Sequence, residues 1–378
     1  MTKKNFDLQA KDGNARAGVF HTRKGSVQTP LFFCVATRAA IKAGVSTDDL
    51  KELGCEFVLS NTYHLALRPG PELLEKVGGL HNFMKWDGPI ITDSGGFQVF
   101  SLKRKKITDE GVTFRSHIDG SKLYVDAEES MRIQHAIGSD VIMAFDECPP
   151  NVPKWHKIRR AVERTTAWAR RCLDYHWSKF DKNLPPTERP QLFGIVQGGC
   201  YKDLRERSAE EITAMEFDGF AMGGLAVGEP PEEMYKTLTE IVPKLPEDKP
   251  HYLMGVGTPT DILEAIERGI DMFDCVLPMR NARHGTVYTS TGKVKITNAT
   301  MREDTGVLDE NCTCKACAGG YTRAYLHHLM RVDEFLAKRL LTIHNLHFYQ
   351  WLVKTAREKI VAGEYSAWKQ EQLDNWNK

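Results

Sequence analysis

An α/β chain folded as a (β/α)8 barrel is what this sequence of 378 residues predicts. Two observations lead there. Eight short apolar runs fall at residues 32–36, 57–60, 89–93, 140–145, 192–197, 219–223, 251–255 and 272–276. Between most of them lie amphipathic stretches, at 47–53, 127–137, 157–176, 201–214, 232–241 and 259–268. Continuous apolar strands alternating with helices indicate a parallel sheet with its outer face covered. Eight strands suffice to close that sheet into a barrel. The alternative is an open doubly wound sheet. The first run, Phe33-Cys34-Val35-Ala36, is not followed by the Gly-rich phosphate turn such a sheet would carry.

Taken in order, the remaining segments fit around the barrel. The chain before residue 19 is polar and has no apolar signal core. After the third strand, the polar stretch 101–123 interrupts the alternation and reads as an inserted hairpin. The Pro-rich pieces 184–190 and 245–250 are connectors too short to separate domains. Beyond Leu277 come short strands at 285–289 and 293–297, a cysteine cluster, and a last barrel helix at 345–362. The expectation is therefore one barrel domain over 1–378, with residues 278–344 inserted before its final helix. With 41% hydrophobic residues, a chain of this length can bury a large core. A net charge of +1 does not mark a nucleic-acid binder in bulk, so any basic surface must be local. No stretch approaches the roughly 20 apolar residues of a membrane span.

Function is expected where the strands end. The third ends in Asp93-Ser94-Gly95-Gly96-Phe97-Gln98, the fourth in Asp146-Glu147-Cys148 and the fifth in Gln197-Gly198-Gly199. The sixth ends in Gly223-Gly224-Leu225, the seventh in Met254-Gly255, and the eighth carries Asp274-Cys275. In a barrel these ends converge on one mouth. Aspartates there can simply cap the following helices. Three of them with a glutamine and two Gly-Gly pairs suggest a ligand cavity instead, since glycine lets backbone groups approach a ligand closely. A carboxylate beside a carboxamide suits the amide–amidine edge of guanine. Two further carboxylates suit chemistry at an anomeric carbon, one as nucleophile and one as acid/base. The first strand end has no His-x-His, which disfavours a metal-dependent amidohydrolase barrel.

Cys312, Cys314 and Cys317 fall within six positions as Cys-x-Cys-x-x-Cys. Thiols this close, in a chain whose other six cysteines are scattered through mostly apolar runs, point to metal binding in a reducing, cytoplasmic compartment rather than to disulfides. With one imidazole they would complete a tetrahedral zinc site with no open position, which serves structure and not catalysis. His327, His328, His344 and His347 are all candidates for the fourth ligand.

The strand-end motifs, together with Ser60-Asn61-Thr62-Tyr63-His64-Leu65, Gly194-Ile195-Val196-Gln197-Gly198, Met222-Gly223-Gly224-Leu225-Ala226-Val227-Gly228, Met254-Gly255-Val256-Gly257 and Phe273-Asp274-Cys275-Val276-Leu277-Pro278, resemble the tRNA-guanine transglycosylase family in its bacterial branch. The resemblance runs from about residue 18 to 363. It implies a zinc-bearing (β/α)8 barrel and a homodimer. It implies exchange of the wobble guanine of tRNAs for Asp, Asn, His and Tyr for 7-aminomethyl-7-deazaguanine (preQ1). Asp274 would be the nucleophile at ribose C1′, and Asp93 would move protons on and off the exchanging bases. Asp146 and Gln197 would read the guanine-like face with the Gly224–Leu225 backbone. Phe97 and Met254 would sandwich the base, Phe97 standing where some members have tyrosine. Arg280, Arg283, Lys295 and Arg302 would contact tRNA, with the basic run Lys103-Arg104-Lys105-Lys106 a further candidate. His344 would be the fourth zinc ligand. Tyr325 and His328 would lie in the dimer contact. Val227 stands where eukaryotic catalytic subunits have glycine, which implies a pocket too small for the cyclopentenediol of queuine. A non-catalytic RNA-binding subunit on the same barrel would be expected to lack Asp93 and Asp274, and both are present. A retaining glycoside hydrolase would have no use for zinc or for arginines beside Asp274.

Overall fold

The computed structural model describes residues 4–102, 104–149 and 154–376, so Lys103 of the basic run lies outside the described residues. Eight strands form a closed, wholly parallel barrel in chain order: Leu31–Val35, Val58–Ser60, Ile90–Thr92, Val141–Met143, Gln191–Val196, Gly219–Met222, His251–Leu253 and Met272–Asp274. The ring closes where the last strand pairs with the first, Met272 opposite Leu31 and Asp274 opposite Phe33. That pairing excludes the open doubly wound sheet. Every strand residue is buried except Asp274, which is only partly so. Such continuous burial is why these strands read as unbroken apolar runs.

The helices begin and end where local chemistry permits. Ser46 opens Thr47–Glu52 with a reciprocal capping box to Asp49. Asp126 caps Ala127–Ile137, which stops at Gly138 in the left-handed conformation (φ 78°). Thr258 caps Pro259–Glu267. The helix expected at 157–176 spans Trp155–Lys179. The insertion after the third strand is a three-stranded antiparallel sheet rather than a hairpin: Lys105–Ile107, Gly111–Arg115 and Lys122–Asp126. Its third strand runs straight into the capping Asp126, which blurs the boundary in sequence.

Beside the short helices Thr62–Leu67, Pro71–Lys76 and Leu80–Met84 between the second and third strands, two larger features went unread in sequence. The first is an antiparallel sheet of Phe6–Asp12, Ala15–Thr22 and Gly25–Thr29, which lies across the N-terminal ends of the barrel strands. Asn5 Nδ2 donates to Gln191 Oε1 (2.8 Å), Arg16 Nε to Asp271 Oδ1 (3.1 Å) and Arg23 Nε to Asp140 Oδ1 (3.3 Å). The Phe20 ring packs on Phe57 and Phe193. With that end plugged, the opposite end is left as the mouth. The second is the C-terminal helix Tyr365–Trp376.

After the eighth strand come the helix Leu277–Arg283, a hairpin of Thr286–Thr289 and Gly292–Lys295, and the helix Arg323–Arg331. The last barrel helix spans Phe335–Ala362, starting well before residue 345, so His344 lies inside it. Its Tyr349 hydroxyl donates to the Gly257 carbonyl (2.5 Å) and its Gln350 Nε2 to the Phe32 carbonyl (3.2 Å). These bonds seat it against the barrel. Among the described residues no helix is long and apolar enough to cross a membrane.

Candidate functional site at the barrel mouth

Asp93 directly follows the third strand and is held by four donors. Its Oδ1 accepts from the Thr62 backbone N–H (2.8 Å) and the Gly95 N–H (3.2 Å). Its Oδ2 accepts from Asn61 Nδ2 (2.5 Å) and Gln98 Nε2 (2.8 Å). The following helix, Gly96–Ser101, has Gly95 and not Asp93 at its N-cap. Asp274 is likewise no cap, because the helix Leu277–Arg283 has Val276 at that position and no side-chain cap bond. Asp274 Oδ1 accepts from the Tyr252 hydroxyl (2.5 Å) and the Gly255 N–H (2.7 Å). Its Oδ2 makes no hydrogen bond among the described residues.

Asp146 is buried beyond the fourth strand. Its Oδ1 accepts from the Ser94 hydroxyl (2.7 Å) and its Oδ2 from Gln197 Nε2 (2.7 Å). The other amide atom, Gln197 Oε1, is buried without a partner. A buried acceptor left unpaired is uncommon in native proteins and calls for an explanation such as a ligand donor. Gly223 and Gly224 let the carboxamide lie against the backbone: an added Cβ on Gly223 would sit 2.6 Å from Gln197 Nε2, and one on Gly224 would overlap Oε1.

The loop after the sixth strand adds a second unpaired face. Glu229 accepts from the N–H groups of Ala226 and Val227. In a planar trans peptide the carbonyl and the N–H point in opposite directions. The Leu225 carbonyl is therefore turned away from Glu229. Leu225 is buried, and neither its N–H nor its carbonyl has a hydrogen bond among the described residues.

Burial is the main influence on the carboxyl groups. It raises the pKa of Asp93, opposed by the bonds from Asn61, Thr62 and Gln98 and reinforced by the charge of Asp274. It raises Asp274, opposed by Tyr252 and Gly255. Asp146 is pushed up to about 6 by burial, with Asp93 adding to the rise. Cys148, beside Gln197 and Gly224, is held by burial as a thiol, its pKa about 12. No cation forms an ion pair with Asp93, Asp146 or Asp274 among the described residues.

The other residues singled out from sequence are distributed as follows. Phe97 leaves its ring 56% exposed at the mouth, free to meet a ligand. Met254 is partly buried just beyond the seventh strand. Arg280 and Arg283 lie on the helix that follows Asp274 and form no ion pair among the described residues. Lys295 and Arg302 are not on the strand-end loops. Lys295 ends the hairpin strand Gly292–Lys295, and Arg302 lies on the short helix Ala299–Glu303. There Arg302 lines a cavity of about 620 Å³ with His327, His328 and Arg331.

Cys312, Cys314, Cys317 and His344 converge, with one donor atom from each lying within 4.8 Å of the others. His344 Nδ1 is 3.6, 3.6 and 3.5 Å from the three sulfurs. Tetrahedral zinc with ordinary Zn–S and Zn–N bonds separates sulfur from nitrogen by about 3.6 Å. His344 Nε2 lies 2.8 Å from the Tyr288 carbonyl, which requires the proton on Nε2 and leaves Nδ1 free to ligate. Of the three sulfurs His347 approaches only that of Cys312 (3.4 Å), its Nε2 meets the Thr313 hydroxyl (3.2 Å), and it sits outside the four-residue group. The donor set thus fits a metal ion and is compatible with zinc.

Several site residues gave too little signal in sequence. Asn61 and Thr62, just past the second strand, and Gln98, in the helix after the third, hold Asp93, so the convergence of the strand ends could have found them. Tyr252 lies inside an apolar strand and reads as core. Glu229 lies in a loop with no local pattern.

The shifted carboxyl generates a stability prediction. An unfolded Asp146 ionises near 3.8 and the folded one near about 6. Stability from this group is therefore fully present below 3.8 and is lost as pH rises through about 6. Relative to Asp146→Asn, the wild type should lose up to about 3 kcal/mol across that window. Urea denaturation of both proteins from pH 3.5 to 7, about half a unit apart, measures it; parallel curves would contradict a raised Asp146.

Comparison with known proteins agrees with this geometry. The TGT family profile, described as queuine tRNA-ribosyltransferase, matches residues 11–378. A queuine tRNA-ribosyltransferase of Clostridium perfringens strain 13 is 53% identical over 378 residues, covering 100% of this chain and 99% of the relative. That of Clostridium kluyveri is 53% identical over 377 residues, covering 98% and 99%. That of Clostridium botulinum strain Hall is 52% identical over 374 residues, with the same coverage. Profile and relatives span essentially the whole chain, barrel and cysteine cluster together, and the chain belongs to the queuine tRNA-ribosyltransferase family of tRNA-guanine transglycosylases.

Proposed function

We propose that this enzyme exchanges guanine at the wobble position of tRNAs for Asp, Asn, His and Tyr for preQ1, through a covalent aspartyl–ribose intermediate. The observation that carries the reading is the pairing of Asp274 with Asp93. Asp274 has one oxygen pinned by Tyr252 and Gly255 and the other unengaged. Asp93 is a partly buried carboxyl of raised pKa, able to carry a proton.

Asp274 Oδ2 attacks C1′ as the C1′–N9 bond breaks, and the bonding pair leaves with guanine. Asp93 protonates the departing base. It then takes the N9 proton of the incoming base, whose N9 attacks C1′ and expels Asp274. Two displacements retain the β configuration. Asp146 and Gln197 supply the acceptors for the guanine-like edge, with the Leu225 N–H and carbonyl beside them. The aminomethyl ammonium of preQ1 suits the Leu225 carbonyl, and Val227 leaves no room for a cyclopentenediol. The base read here therefore differs from the queuine in the relatives' names. Phe97 and Met254 flank the base. Arg280 and Arg283, next to Asp274, suit the phosphates around an extruded nucleotide, and Lys295 and Arg302 extend that surface.

We read the chain as one barrel whose metal-binding insertion, expected at 278–344, gives way at Phe335 to the last barrel helix, which supplies His344. Zinc on Cys312, Cys314, Cys317 and His344 would brace the fold and supply no chemistry, because all four positions are taken. A homodimer is supported by large apolar side chains left exposed on the helix Arg323–Arg331 and just beyond it: Tyr325 (42%), Val332 (53%) and Phe335 (56%). A tRNA substrate supports a cytoplasmic location.

Four experiments test this reading. Asp274→Asn should lower guanine exchange into tRNA by more than about a thousandfold while retaining tRNA binding. Denaturing gels should show a covalent RNA adduct with the wild type alone; an adduct that survives in Asp274→Asn and disappears in Asp93→Asn would move the nucleophile to Asp93. In competition against labelled guanine, the wild type should insert preQ1 and reject queuine, and Val227→Gly should admit queuine; equal use of both bases by the wild type would remove Val227 as the gate. Elemental analysis should find one zinc per chain, and Cys314→Ser should lower the melting temperature more than the rate per folded molecule; active protein free of zinc would refute the assignment.

A further inference from the structure

Arg205 falls in the amphipathic stretch 201–214 and is completely buried on the helix Lys202–Thr213. It forms no ion pair among the described residues. A buried charge without a counter-ion is unfavourable unless hydrogen bonds compensate it. Here three backbone carbonyls do so. Nε donates to Gly199 (2.6 Å), Nη1 to Val196 (2.7 Å) and Nη2 to Gly224 (3.3 Å).

Those carbonyls are not a random set. Val196, the last residue of the fifth strand, and Gly199 in the loop after it bracket Gln197, and Gly224 begins the binding turn after the sixth. One planar guanidinium, with donors in fixed directions, therefore spans the two loops. Gly198 is shaped for it: at φ +143° it passes so close that an added Cβ would lie 2.8 Å from the Arg205 backbone nitrogen and 3.0 Å from its Cγ. With the Gly224 carbonyl turned toward Arg205, the Leu225 N–H of the same peptide points the other way.

We propose that Arg205 is a positioning residue for base exchange, its guanidinium fixing the spacing between Gln197 and the Gly224–Leu225 backbone and so the grip on the guanine-like base. The proposal rests on the base-exchange reading above. Arg205 acts through Gln197 and Leu225, not by touching the base. Burial draws its pKa down to about 10, so the group stays charged at neutral pH.

The test is guanine exchange with base and tRNA varied separately, for wild type, Arg205→Lys and Arg205→Gln, each rate divided by the folded fraction from urea melts. Lysine keeps the charge but not the fork. The KM for guanine should rise about tenfold in Arg205→Lys, the equivalent of one lost hydrogen bond, and further in Arg205→Gln. The KM for tRNA should stay within about twofold of wild type. Unchanged KM values with activity falling only as the folded fraction falls would overturn the proposal, as would parallel rises for base and tRNA. Guanine calorimetry separates this inference from the one beneath it. A wild type that binds guanine but never exchanges it would defeat the exchange reading alone. In that case a tenfold weaker Arg205→Lys complex still supports the positioning role, and equal affinity ends it.

Discussion

The parallel pairing of Met272–Asp274 with Leu31–Val35 closes the sheet, and the rest of the architecture depends on it. Without closure the ends of the third, fourth, fifth, sixth and eighth strands would fan out along an open edge. With it, Asp93, Asp146, Gln197, Gly224 and Asp274 share one rim. Closure also buries every strand residue but Asp274, so the barrel interior is packed core and the one strand residue left partly accessible is a carboxylate at the mouth. The N-terminal sheet completes the arrangement by sealing the opposite end through Asn5, Arg16 and Arg23.

At the rim, three carboxyl groups are stabilised by neutral donors and not by cations. Hydroxyls, amides and backbone N–H groups surround them, and burial keeps their proton affinity above that of free aspartate. An arginine partner would have lowered it and tied up the oxygens. The neutral shell leaves Asp274 Oδ2 and Gln197 Oε1 unengaged, which suits a site that must accept groups from a substrate. The buried cation behind the rim, Arg205, is directed at carbonyls and not at any of these carboxylates.

The cysteine cluster is coupled to the barrel through one element. The helix Phe335–Ala362 carries His344 at the cluster, and five residues on it carries Tyr349, which bonds to Gly257 between the seventh strand and its helix. A metal on the four donors would fix the register of that helix and hence the seat of the final barrel layer. Such a role needs a filled tetrahedral shell and no open position.

The apolar strand runs, their alternation with helices and the ring of polar residues at strand ends were legible in sequence because each is a local pattern with a fixed geometric consequence. The Cys-x-Cys-x-x-Cys spacing was legible for the same reason. Four kinds of fact were not. The choice of His344 over His347 depends on which imidazole a long helix turns toward three sulfurs. The N-terminal sheet has ordinary alternation that takes on meaning only against the barrel floor. Tyr252 looks like core until the eighth strand brings Asp274 to its hydroxyl, and Arg205 is one residue of an amphipathic stretch until the fifth and sixth strand loops fold over it. Sequence determined which strands exist and which chemistry their ends carry, since side-chain type and period are written residue by residue. Tertiary structure alone decided which oxygen is pinned, which is free and which buried charge faces which carbonyl, because those depend on contacts between segments far apart in the chain.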